Sequence, residues 1–160
     1  MKKILFSLLI GVATFATAQK KPMSVATPGT TTNPTTLVMV NGNLASQDFL
    51  ERMKKNTKFI RPILSANQVP QSLKSVTGLR FPMIIAEAKE NYYDRIALST
   101  LNEQHGLAKN NPVYFDGNKI SDTSLNVIGD VLVEMKVGKT DGQEVLNIWT
   151  TKHTMHAIAN

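Results

Sequence analysis

Three histidines, no cysteine and a few short charged clusters make up the reactive inventory of this chain of 160 residues. His153 and His156 stand three apart near its end, a spacing that brings two imidazoles to one metal if the segment is helical. No third ligand is near in sequence, and a chain end encloses a metal poorly, so the pair is read as ordinary tail. Asp116, Asn118 and Asp122 have carboxylate and amide groups at calcium-loop spacing, but Ile120 occupies a position that needs an oxygen ligand. They are read as turn chemistry. Glu87, Glu90 and Asp94 are read as a solvated helix start, not a catalytic pair. His105 is expected at the end of a helix.

Arg52, Lys54, Lys55, Lys58 and Arg61 concentrate positive charge, interrupted by Phe59 and Ile60. Such a run is either a solvated face or a dock for an acidic partner or lipid headgroups. The chain lacks the nucleophile elbow G-x-S-x-G, the P-loop and the dinucleotide fingerprint. Without cysteine there is no thiol nucleophile, thiolate metal site or lipidated cysteine, and stability must come from packing. No cofactor and no catalytic residue is assigned.

The elements that position these groups follow from apolar periodicity. Leu37 to Val40 reads as a strand ended by Asn41 and Gly42, which tolerate the positive φ of a tight turn. Ser46 is placed to cap a helix with Phe49, Leu50 and Met53 on one side. Phe59 to Leu64 reads as a strand, with Pro62 marking an edge. Val69 to Val76 reads as a short helix closed by Gly78, and Met83 to Ala88 as a strand. The spacing of Tyr93, Ile96, Ala97, Thr100 and Leu101 predicts a helix over 91–104 stopped by Gly106. Val113 to Phe115 is a strand broken by Asp116 and Gly117, and Ser121 is expected to cap a helical turn holding Leu125 and Ile128. Val131 to Val137 and Glu144 to Thr151 alternate as a hairpin around Gly142, with Ile148 and Trp149 on opposite faces. A buried tryptophan is the expectation, and an exposed one would point to a binding surface.

Lys2 and Lys3, the apolar run Ile4 to Phe15 and the small residues Ala16, Thr17 and Ala18 have the order of a secretory signal cleaved before Gln19. The run is shorter than the roughly 20 residues of a membrane span. Residues 19–36, rich in Thr and Pro, read as a disordered linker or tether. The net charge of +6 includes the two signal lysines, leaving +4 on the remainder, a mild excess that argues against dedicated nucleic-acid binding.

The chain also repeats itself. VMVNGNLAS from Val38 aligns with VYFDGNKIS from Val113 at an offset of 75, which also matches Leu50 with Leu125 and Met53 with Ile128. MIIAEAK and LNIWTTK, each a strand followed by lysine, align at an offset of 63. A unit of about 40–50 residues buries too little surface alone, so two must share a core. The order PVYFDGNKIS, short helix, alternating strand, VLNIWTTK resembles the plug module of TonB-dependent outer-membrane receptors, and VMVNGNLAS, SLKSVTG and FPMIIAEAK follow the same pattern. Asn41 stands where that family usually has Asp. The second unit lacks the glycine-rich segment before its last strand, and Ser24 to Thr27 is a poor counterpart of the TonB-contacting motif. The resemblance implies a plug fold and an envelope setting without transport. Similar units also occur as tails on envelope sensor proteins.

The expectation is therefore an α+β chain of two related β-α-β-β plug-like units in one small domain. Its parts are a signal peptide (1–18), linker (19–36), first unit (37–89), connecting helix and loop (90–112), second unit (113–152) and tail (153–160). It is expected to be exported to the periplasm or outer-membrane periphery of a Gram-negative bacterium, and to serve there, without catalysis, in binding an envelope protein or in envelope signalling. The basic cluster and Trp149 are the candidate contacts, with peripheral membrane association and homo-oligomerisation as further partner modes. The alternatives are an exported hydrolase dependent on His105 or Glu87, and a self-associating structural subunit.

Overall fold

A computed structural model describes residues 35–76, 78–89 and 93–152. The signal, nearly all of the linker, Glu90, His153 and His156 lie outside them. The described residues form a mixed α+β fold dominated by two sheets, with two short helices.

The first sheet grows from a hairpin, β1 (Leu37–Val40) and β2 (Asn43–Ala45), whose turn residues Asn41 and Gly42 have φ of 49° and 78°. Left-handed angles at both positions suit the right-handed twist of the strands, and Asn and Gly adopt them at low cost. Helix α1 (Gln47–Met53) follows, capped as the sequence predicts: Ser46 Oγ accepts the Phe49 N–H at 3.0 Å. Next come β3 (Thr57–Ile63) and β4 (Met83–Ala88), which pair antiparallel with an irregularity between Thr57 and Phe59. Strand β4 runs parallel beside β1.

The segment expected to be one long helix divides into a strand, β5 (Arg95–Ala97), and a helix, α2 (Leu98–Gln104). Tertiary pairing overrides the helical spacing: Ile96 stands opposite Val127 of β8 (Asn126–Ile128). The helix starts where the chain leaves that sheet. Its first N–H groups go to neighbouring loop carbonyls, Leu98 to Leu125 O and Ser99 to Thr123 O, so no side-chain cap is required. His105 is the C-terminal cap residue and Gly106 follows at φ 74°.

The second sheet begins with another two-residue hairpin, β6 (Val113–Phe115) and β7 (Asn118–Ile120), turning at Asp116 and Gly117 with φ of 46° and 79°. Ser121 does not start the expected helix. Asp122 Oδ1 instead accepts the Ser124 N–H at 3.1 Å in a local turn, and β8 then inserts between β2 and β5 of the first sheet. The second half therefore lacks the helix of a β-α-β-β unit. The expected helix over Val69–Val76 is likewise replaced, by single 3-10 turns at Ala66–Gln68 and Gln71–Leu73 with Pro70 between them. The chain closes with β9 (Glu134–Thr140) and β10 (Gln143–Trp149), joined at Asp141 and Gly142.

Strand order is β3-β4-β1-β2-β8-β5 in one sheet and β7-β6-β10-β9 in the other. Reading the second in reverse, β9, β10, β6 and β7 stand to one another as β3, β4, β1 and β2 do, including the parallel β10–β6 pair. The match extends to single bonds. Asn41 N–H donates to Ala86 O and Asp116 N–H to Ile148 O; Asn41 Oδ1 accepts the Ala88 N–H and Asp116 Oδ1 the Thr150 N–H. Because Val38 lies against Ile84 and Val113 against Leu146, equivalent residues of β4 and β10 are 62 apart, one fewer than the aligned sequences suggest.

Residues from both sheets and both helices enter one core, including Leu37, Leu44, Phe49, Leu98, Phe115, Val127, Leu146 and Ile148. The halves also cover each other's hairpins. Strand β8 lies against β2, and Gly78 runs beside β7, close enough that a Cβ there would stand 3.5 Å from Lys119 O.

Candidate functional site

Large apolar side chains left in solvent are the feature to explain, because a packed fold has strong reason to bury them. Among the described residues those exposed are Phe59, Ile60, Leu64, Val133 and Val137. All lie on, or next to, β3 and β9, the outermost strand at one end of each sheet and the two that correspond in topology.

The backbone of the two edges differs. In an extended strand the N–H and C=O of one residue point the same way, and neighbours alternate. Ala86 O and the Ala88 N–H point to β1, so Ile85 and Glu87 point to β3 and bond their opposites Arg61 and Phe59. Ile60 and Pro62 therefore face outward. Proline is tolerated here because the donor it lacks would have met solvent, so its predicted edge position holds. In β9 the same logic starts from Ile148 O, which points to β6; Asn147 then bonds Lys136, leaving Met135, Val137 and Lys139 outward with no proline among them.

The predicted basic cluster gathers around β3 and is partly spent locally. Lys58 Nζ contacts Glu87 Oε1 at 2.6 Å, Lys54 contacts Glu51 at 3.4 Å, and the Arg52 guanidinium lies 5.7 Å from the Phe49 ring centroid. Lys55 and Arg61 are exposed and form no ion pair among the described residues. Phe59 and Ile60, on opposite faces of β3, thus have an excess of positive charge beside them. Glu87, one of the residues a hydrolase would need, is occupied by Lys58, and His105 lies at the end of α2.

Trp149 is half-buried and Ile148 fully buried, so the alternation of β10 sends the isoleucine to the core. Asp116, Gly117, Asn41, Gly42 and Gly142 all occupy left-handed turn positions, as their residue types require. Asp116 and Asn118 serve the fold: the carboxylate accepts from Thr150 N and Oγ1 at 2.8 and 2.7 Å, and Asn118 Nδ2 donates to Thr35 O at 2.9 Å. Burial pushes the Tyr93 hydroxyl up from its usual pKa, and the Asn41 side chain and Arg95 pull it part of the way back. An open depression of about 520 Å³ lies between α1 and the Gly129–Val131 turn; Asp48, Glu51, Arg52 and Asp130 are on its walls.

Sequence reasoning missed β9 as an exposed edge. Its signal was the pair Val133 and Val137 flanking Glu134 and Lys136, read simply as hairpin alternation. Comparison with protein-family models, curated proteins and solved structures finds no match to this chain.

Proposed function

We propose that this chain is an exported, non-enzymatic module of the bacterial envelope, built from two plug-like units, which binds a protein partner at the β3 edge. The observation that carries the reading is the coincidence of exposed Phe59, Ile60 and Arg61 on one edge strand, with the cation Lys55 in the turn just before it. An extended, acidic segment of a partner would bury the two apolar side chains, satisfy the outward backbone of Ile60 and meet the positive charge. The signal-like N-terminus and the plug resemblance support the envelope setting. The shared strand order of the two sheets supports two related units.

The test places a photo-crosslinking residue at Ile60 and, as a control, at exposed Thr100 on α2, in cells that export the chain. The expected result is an adduct from position 60 that is absent from position 100 and is lost in Arg61→Glu. Equal labelling from both positions, or an adduct indifferent to Arg61→Glu, refutes the reading.

A further inference from the structure

Strand β9 is seven residues long, and its midpoint, Val137, is both 42% exposed and outward in its backbone. We infer that β9 pairs antiparallel with β9 of a second copy, centred on Val137, joining two four-stranded sheets into one. This does not rest on the proposed β3 partner, because it uses the other sheet and another edge.

The register follows from the residues. Centred on Val137, the strands overlap along their whole length. Met135 of each copy faces Lys139 of the other and Val137 faces Val137, and these outward residues form the bonded pairs, with about two hydrogen bonds each. Lys136 falls opposite Gly138 and Glu134 opposite Thr140, so no like charges stand directly opposed. Sliding the centre to Lys136 would set the two lysines face to face. Of the side chains that usually guard an edge, Lys136 is engaged within the chain, its Nζ 2.5 Å from Glu134 Oε1, and Lys139 falls opposite Met135 of the second copy and not opposite another charge. Val137 joins a face already buried at Leu146 and Ile148, its neighbours in that register, so the second copy extends apolar cover. The β3 edge cannot do the same, because Pro62 removes one of its outward donors and the strand is irregular at Thr57 to Phe59.

The chain has no cysteine, so single cysteines report contact without ambiguity. Across a bonded antiparallel pair the Cα separation of about 5.5 Å suits a disulfide. Under mild oxidation Val137→Cys is expected to form a covalent dimer, while Ile60→Cys stays monomeric. Sedimentation equilibrium of the unmodified chain should show a dimer, and Val137→Lys, which opposes two ammonium groups on an exposed site, should weaken it about tenfold. A monomer at about 0.1 mM, a concentration well above that of ordinary specific pairs, overturns the inference. So does equal cross-linking through Ile60→Cys, or a dimer unaffected by Val137→Lys.

Discussion

Replacing Asp116 separates two effects that its position combines. Its backbone is left-handed at φ 46°, and its carboxylate accepts from both the backbone N–H and the hydroxyl of Thr150. Alanine has neither the local tolerance for that backbone nor the acceptor; holding an ordinary residue left-handed costs about 1–2 kcal/mol. Hydrogen bonds to a charged group contribute about 1.5–3 kcal/mol, and partial exposure here argues for the lower end. Asp116→Ala should therefore lose about 3 kcal/mol, Asp116→Gly about 1.5–2 because the backbone is relieved, and Asp116→Asn under about 1 because one acceptor and the backbone tolerance remain. For a chain of this size that is a fall in Tm of roughly 10 °C for alanine. Urea unfolding followed by circular dichroism gives the three values, with unchanged m confirming that stability alone is altered. If Asp116→Gly were as stable as the parent, or Asp116→Asn as unstable as Asp116→Ala, the assigned roles of backbone and carboxylate would be wrong.

Ile148→Ala, at a fully buried core position, should cost about 2–5 kcal/mol, whereas half-buried Trp149→Ala should cost clearly less; denaturant midpoints of the two variants test the order. Tyr93 ionises above 10.0 because burial disfavours its phenolate. The unfolded chain releases that proton first, so stability present below about pH 10 declines as pH rises from there through the folded value. Tyr93→Phe should flatten that decline in a pH series of melting curves, and an unaltered decline would assign it to other groups.

Local chemistry made part of this fold legible. The Asn-Gly and Asp-Gly turns, the Ser46 cap and the strands at Leu37–Val40, Met83–Ala88 and Val113–Phe115 announce themselves through residues adjacent in the chain. Strands β2, β5, β7 and β8 do not, because three residues develop no periodicity and pairing partners decide the conformation; β6 is as short, but its apolar run ends at the Asp116–Gly117 turn signal. Ile96 belongs equally well to a helical stripe, and its position opposite Val127 makes it strand. The cluster from Arg52 to Arg61 was visible as charge, but its partners Glu51, Glu87 and the Phe49 ring were not, since the Lys58–Glu87 contact spans 29 positions. Which residues of β3 and β9 turn their backbone outward was illegible for the same reason: that parity is inherited from β1 and β6, through the bonds of Asn41 and Asp116.

The insertion of β8 between β2 and β5 has a consequence for how such a chain can evolve. A gene severed in the 90–112 connection would give a first product whose Leu44 has lost Val127 beside it, and a second whose β7 no longer runs past Gly78. Each fragment would display the backbone that the other was made to shield. With strands exchanged in this way, selection meets the two segments as a single inheritance, because a change beside Leu44 or Gly78 is felt on both sides of the cut.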